Sequence, residues 1–373
     1  MNYTQRQHEL IAQFQLGKDK QIKNSQVSIR YFSFNSQLLS VIDNKAVDVT
    51  VDASINENLA FQYPVFLPEK TKRTDKAILL LHGLNERNWS KYLAWAEYLC
   101  RETGKPVILF PIAFHMNRSP QSWSNPRDLQ NVLDIRRKRN GDDRSLSFAN
   151  VALSERISEN PYRFYSSGRQ SVFDLMHLIS DVKEGKHDLF AENCNIDIFA
   201  YSIGAFLSQV TLMSDPHGLF SDSKLFLFCG GGIFSSMSGE SRSIMDKRAF
   251  QNLYSYYMYD FCSEAQKFSI RDKIFESFNR MISPEREQLD RELFFNKLGD
   301  NFKGISLLND KVMPFYGVPE AIGTECAHAN IQLLDFPFSY SHENPFPIGA
   351  KFRAEEVDAS FTQVFSQASQ FLA

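Results

Sequence analysis

Cys194-Asn195-Ile196-Asp197-Ile198-Phe199-Ala200-Tyr201-Ser202-Ile203-Gly204-Ala205-Phe206 reads as a strand, a sharp turn and a helix. Ile196, Ile198 and Phe199 form a short apolar run of β-branched character, as a strand buried on both faces requires, and the run stops at small residues. From Ala205 the apolar spacing turns helical, through Phe206, Leu207, Val210 and Leu212. Ser202 therefore sits at a tight bend, where the helix must pass close to the strand it has just left. Only small side chains fit two positions to either side, and Ala200 and Gly204 stand there. The competing reading is an ordinary strand-to-helix turn whose serine caps the helix.

The arrangement resembles the nucleophile elbow of the α/β-hydrolase superfamily, G-x-S-x-G, with alanine in place of the first glycine. Alanine keeps the steric condition but tolerates less backbone strain. A degenerate five-residue pattern recurs by chance, so the flanking chain has to decide between the two readings.

Upstream, residues 1–75 carry alternating segments, Gln26 to Ser33 and Leu59 to Phe66, which predict antiparallel edge strands. Lys76 to Leu81 is an apolar strand closed by His82-Gly83-Leu84-Asn85. A helix follows from about Ser90 to Thr103, with Gly104 as its stop, and then a second buried strand, Pro106 to Phe114. Strand, helix and strand with short joints predict a right-handed parallel crossover. From His115 to about Tyr162 periodicity is lost. That segment is expected to be a solvated loop, and its run Arg136-Arg137-Lys138-Arg139 is balanced by Asp142-Asp143. Helical spacing returns over Arg163 to Lys186.

Downstream of the elbow, Lys224 to Cys229 is a strand ending in Gly230-Gly231-Gly232, which implies close backbone approach. Asp246 to Asp300 is helical and rich in Tyr and Phe. It interrupts the alternation and is expected to be a helical cap. Strands at Lys303 to Leu308 and Ile331 to Phe336, a short helix at Pro319 to Cys326 and a final helix from Ala354 to Leu372 complete the chain. The predicted fold is α/β, a mostly parallel sheet flanked by helices, with edge strands in 1–75, a core of 76–232 and 303–373, and a cap insertion at 233–302.

Composition narrows the function classes. The net charge of −3, with mixed signs, gives no global field for nucleic acid or an anionic membrane. The five cysteines are scattered, without C-x-x-C spacing, which suggests neither a disulfide framework nor a zinc site. The polar N-terminus lacks a signal-peptide apolar core, and the expectation is a soluble cytoplasmic protein. Oligomeric state is not legible. The 33 phenylalanines are expected mostly in the core.

Parallel sheets place their chemistry beyond the C-terminal ends of their strands. Asn309-Asp310-Lys311 follows one such strand, and Ser341-His342-Glu343 follows the last. The order Ser202, Asp310, His342 is that of the α/β-hydrolase superfamily, which chymotrypsin-like and subtilisin-like enzymes do not share. The resemblance, from about Phe61 to the C-terminus, implies Ser202 as nucleophile, His342 as general base and then acid, and Asp310 as the orienting carboxylate. It also implies oxyanion donors in the backbone of Ile203, Leu84 and, next, Gly83. His82 is expected to brace its loop. His82, Asn85, His115, Tyr201 and Gly231 are candidates to line the pocket. His328, His115 and Asp335 are the rival catalytic candidates: the first sits at a helix-to-strand joint, the second breaks the order and the third falls within a strand.

The implied activity is hydrolysis of a carboxylic ester or related small-molecule acyl compound through an acyl-serine, with no metal or organic cofactor. Acyl transfer, peptide cleavage, lyase or haloperoxidase chemistry and a non-catalytic binding module stand as alternatives.

Overall fold

The computed structural model describes residues 2–37, 50–69, 71–215, 217–267 and 272–373. Among these, nine strands form one sheet: β1 Lys20–Gln21, β2 Val27–Asn35, β3 Ala60–Pro68, β4 Thr74–Leu81, β5 Val107–Leu109, β6 Phe190–Tyr201, β7 Leu225–Phe228, β8 Phe302–Leu307 and β9 Ile331–Leu334. Their spatial order is β1-β2-β3-β5-β4-β6-β7-β8-β9. β1 to β3 are antiparallel and β3 meets β5 antiparallel, while every pairing from β5 to β9 is parallel.

β4 and β6 are buried on both faces, as apolar runs without polar alternation require. Ala77, Leu79, Leu81, Ile196, Ile198 and Ala200 join one core layer, packed on helices Arg163–Lys183 and Ile203–Ser214. Ile78, Leu80, Phe199 and Tyr201 join the opposite layer, under helices Leu93–Thr103 and Ala354–Leu372. This mostly parallel sheet, covered by helices on both faces and turned into a helix at Ser202, is the α/β-hydrolase fold. An N-terminal helix, Tyr3–Gln13, which alternation alone did not predict, seals the second layer by stacking Tyr3 on Phe361 with ring centroids 4.3 Å apart. No helix among the described residues is long and apolar enough to cross a membrane.

Residues 115–162 correct the expectation of a solvated loop. Helices Pro126–Asn140 and Val151–Glu159 occupy half of the segment. The first buries only Leu129, Leu133 and Arg136, so its stripe carries too little apolar signal to show as periodicity. Helical phase points Arg137, Lys138 and Arg139 outward and Arg136 inward. There the Arg136 guanidinium donates to Asp246 Oδ1 at 2.8 Å and to Glu155 Oε2 at 2.7 Å. Asp246 also caps helix Lys247–Ser255 by accepting from the Ala249 N–H. The segment between β7 and β8 continues in further helices, Phe261–Lys267, Lys273–Arg280 and Gln288–Leu298.

The turn after β6 shows why small residues stand there. A Cβ on Gly204 would lie 2.7 Å from the Leu81 carbonyl oxygen and 2.8 Å from that of His82. One on Gly230, the first of the three glycines after β7, would lie 2.4 Å from Ala205 Cβ and 3.2 Å from the Ser202 carbonyl oxygen. Alanine normally stabilises a helix relative to glycine. Here Gly204→Ala should instead destabilise by about 3 kcal/mol, because the backbone facing it cannot yield. Gly168→Ala, within helix Arg163–Lys183 and with open space at its Cβ position, should stabilise by about 0.5–1 kcal/mol. Urea unfolding of the two variants checks this, and equal or same-sign shifts would contradict the close crossing.

Candidate active site

Ser202 is the N-cap of helix Ile203–Ser214, with φ 58° and ψ −124°. A non-glycine residue held there stores about 1–3 kcal/mol of strain unless its surroundings fix it. They do: its N–H reaches the Phe228 carbonyl at 3.3 Å, and its own carbonyl accepts from the Ala205 N–H at 2.9 Å. The side chain does not cap the helix, so Oγ stays available. It lies 2.6 Å from His342 Nε2.

The His342 ring in turn donates from Nδ1 to Asp310 Oδ2 at 2.7 Å. With Nδ1 carrying the proton, Nε2 is left to accept from the serine hydroxyl. The other Asp310 oxygen accepts from the Val312 and Met313 N–H groups at 2.9 and 2.8 Å, which fixes the carboxylate in the turn after β8. All three side chains are buried. Tyr201 stacks on the imidazole, with centroids 5.5 Å apart and planes 16° apart, and its hydroxyl donates to the His342 carbonyl. Burial, followed by the charge of Asp310, pushes the neighbouring Cys229 thiol well above its ordinary pKa, so a second charge does not compete at the carboxylate. The rivals lie elsewhere: His328 is in helix Thr324–Asn330, and Asp335 accepts from Asn309 and Tyr340.

At Ser202 the Ile203 N–H is the first of the helix and has no intrahelical acceptor. Across the bend, the Leu84 N–H also has no acceptor among the described residues. Gly83 does not join them, because its N–H donates to the Tyr92 hydroxyl at 2.9 Å. Tyr92 donates onward to Glu86 Oε1 at 3.1 Å, and Glu86 pairs with Lys91, which lies 5.1 Å over the Tyr201 ring. His82 is fully buried, with Nδ1 donating to the Gly83 carbonyl at 2.8 Å and Nε2 accepting from the Ile112 N–H at 2.9 Å. Both ring nitrogens are thus committed to holding the loop.

Two cavities adjoin this bend. One, with a volume of about 40 Å³, is lined by Leu84, Ile112, Ile203, Phe206, Leu207 and Phe278 among others and is mostly apolar. The second, with a volume of about 60 Å³, is also largely apolar but carries Asn85, Arg87 and Arg156 in its lining and is walled by Trp123 and Met245. Leu84, His115, Phe164 and Ser167 border both. Of the five pocket candidates, Asn85 and His115 line the cavities. His82, Tyr201 and Gly231 do not: His82 and Tyr201 point into the packed layers, and the Gly231 carbonyl accepts from Gln209. Sequence reasoning also missed Arg87, Arg156 and Tyr92, whose roles depend on contacts between segments far apart in the chain.

A family model described as a family of unknown function (DUF6051) matches residues 1–373. The chain belongs to that family. Among curated proteins, none matches this DUF6051 chain. Solved structures similar to it include carboxyl esterase 2 of the mycorrhizal fungus Tuber melanosporum, at 8% identity and TM-score 0.49, covering 100% of this chain and 99% of that one. An S-formylglutathione hydrolase from Agrobacterium tumefaciens is similar at 14% identity and TM-score 0.46, covering 96% and 100%. A cold-adapted esterase from an Arctic intertidal metagenomic library is similar at 12% identity and TM-score 0.43, covering 96% and 100%.

His115 sits where the cavities meet, between Phe114 and Met116, both at positive φ, and its Nδ1 donates to the Ala113 carbonyl at 2.9 Å. Burial, with the nearby Arg118 charge adding to it, lowers its pKa from about 6.5 to about 4. Burial and the His115 ring likewise hold His82 well below its ordinary value. An imidazole depressed in the folded state takes protons more readily when unfolded. The stability linked to His115 is therefore whole above its ordinary value of about 6.5 and is lost as pH falls toward about 4. Urea unfolding between about pH 7 and about pH 4.5 should show falling stability, and His115→Gln should flatten that fall by at most about 3 kcal/mol. A His115→Gln profile parallel to the wild type would contradict the assignment.

Proposed function

We propose that the protein is a serine hydrolase that cleaves a carboxylic ester or related acyl compound through an acyl-serine intermediate. The observation that carries this reading is the unbroken line from Ser202 Oγ to His342 Nε2 at 2.6 Å and from His342 Nδ1 to Asp310 Oδ2 at 2.7 Å. A serine hydroxyl is a poor nucleophile near neutral pH and needs a base within hydrogen-bond reach. In the proposed reaction Nε2 takes the hydroxyl proton as Oγ attacks the acyl carbon. The Asp310 carboxylate holds the tautomer and stabilises the imidazolium that forms.

The negative oxygen of the tetrahedral intermediate would be met by the N–H groups of Ile203 and Leu84. They stand ready, because neither has to give up an existing acceptor. His342 then returns its proton to the leaving alcohol, and the cycle repeats with water to release the acid. Tyr201 acts in this scheme through His342, by fixing its ring and its backbone. The helices of 115–162 and 233–302 would roof the cavities, which supports an acyl substrate with a sizeable apolar part.

A fluorophosphonate probe should label the wild-type protein, and Ser202→Ala should abolish labelling without loss of fold. Turnover of p-nitrophenyl esters should drop by about a thousandfold or more in His342→Asn and Asp310→Asn. A folded protein that takes no label and turns over no ester would favour a binding module on the same scaffold.

A further inference from the structure

The cavity lined by Arg87 and Arg156 holds an arrangement of charge that ester hydrolysis by itself does not need. Arg156 and Arg163 line it, but both are engaged. Arg156 donates to both Asp52 oxygens at 3.0 and 3.2 Å, Arg163 Nε donates to Asp52 at 2.9 Å, and Arg163 also pairs with Glu159. The Arg156 guanidinium lies 4.0 Å over the Trp123 ring, so its face is covered as well. Glu86, the one carboxylate in the lining, is neutralised by Lys91.

Arg87 differs. Only one of its terminal nitrogens is used, with Nη2 donating to the carbonyls of Phe148 and Ala149 at 3.2 and 2.7 Å. No carboxylate lies within salt-bridge distance of it among the described residues, and burial pushes its pKa down with no acid opposing the shift. A half-buried guanidinium without a counter-charge is costly, and its fork of donors matches a carboxylate in shape and charge. The other cavity offers the opposite surface: Ile112, Ile203, Phe206, Leu207, Val210 and Phe278 present almost nothing polar.

We propose that the substrate is an acyl compound with two unlike ends, an apolar part seated beside Ile203 and an anionic group, a carboxylate in the simplest case, docked on Arg87. This rests on the serine-hydrolase reading and names the substrate class for that site. Arg87 determines specificity: it binds the remote charge and takes no part in bond making. The anion lies on either the acyl or the alcohol side of the ester, and two matched substrate pairs separate these.

The first pair is the mono-p-nitrophenyl ester of adipic acid against p-nitrophenyl hexanoate. The second is p-(carboxymethyl)phenyl hexanoate against p-tolyl hexanoate, in which a methylene insulates the leaving oxygen from the charge. In at least one pair the anionic member should show a kcat/KM about tenfold or more above its neutral twin, the range of a charge-assisted hydrogen bond. Arg87→Gln should bring that ratio close to unity, and Arg87→Lys should keep part of it. A merely structural role in holding Phe148 and Ala149 would lower both members together and leave the ratio unmoved. Neutral esters turned over in a Ser202-dependent way with no anionic preference, or a preference that survives Arg87→Gln, would overturn this inference alone. No turnover of any ester and no labelling of Ser202 would overturn the hydrolase reading and this inference with it.

Discussion

The closeness of the helix after β6 to the end of β4 is the constraint on which the rest of the site depends. Helix Ile203–Ser214 starts so near the Leu81 and His82 carbonyls that no Cβ fits at position 204. Because the crossing is tight, Ser202 is driven to positive φ and its hydroxyl stands clear of the backbone, beyond the ends of the parallel strands. The same crossing brings the Ile203 N–H, the first of the helix, opposite the loop that carries Leu84. A looser turn would relax Ser202 and separate the two N–H groups.

Around that turn, polar groups are satisfied in a way that leaves a few deliberately open. His82 commits both ring nitrogens to its loop, Gly83 gives its N–H to Tyr92, and one oxygen of Asp310 is taken by two backbone N–H groups. Among the described residues, groups here without a protein partner include the N–H groups of Leu84 and Ile203, the indole N–H of Trp89 beside His82, and the remaining nitrogens of the half-buried Arg87 guanidinium. Buried polar groups are normally paired. In the proposed reaction the N–H pair would meet the reacting oxygen and the guanidinium would hold the substrate's remote charge.

Much of this was legible in the sequence because parallel sheets leave a strong record. Strands buried on both faces are apolar throughout, as in Ile78-Leu79-Leu80-Leu81, and the residues just beyond their C-terminal ends are the ones that meet. That logic led to Asp310 and His342, which are 32 residues apart. It led less well where a helix buries few apolar side chains. Pro126–Asn140 hides its inward face behind Leu129, Leu133 and a buried arginine, and polar patterning alone gives no reason to turn Arg136 inward. The partner that justifies it, Asp246, lies 110 residues away. Tyr201 and the Gly83 N–H are directed away from the cavities for a related cause. Adjacency to Ser202 suggests Tyr201 for the pocket, and the H-G dipeptide suggests the Gly83 N–H as an oxyanion donor, whereas contacts with His342 and Tyr92 set their directions.

The most direct measurement of the central claim is a crystal structure of the protein after reaction with a neutral alkyl fluorophosphonate. The account predicts phosphorus bonded to Ser202 Oγ, the phosphoryl oxygen about 3 Å from both the Leu84 and Ile203 N–H groups, and His342 still bonded to Asp310. An adduct on another residue, or a phosphoryl oxygen turned away from both N–H groups, would contradict it.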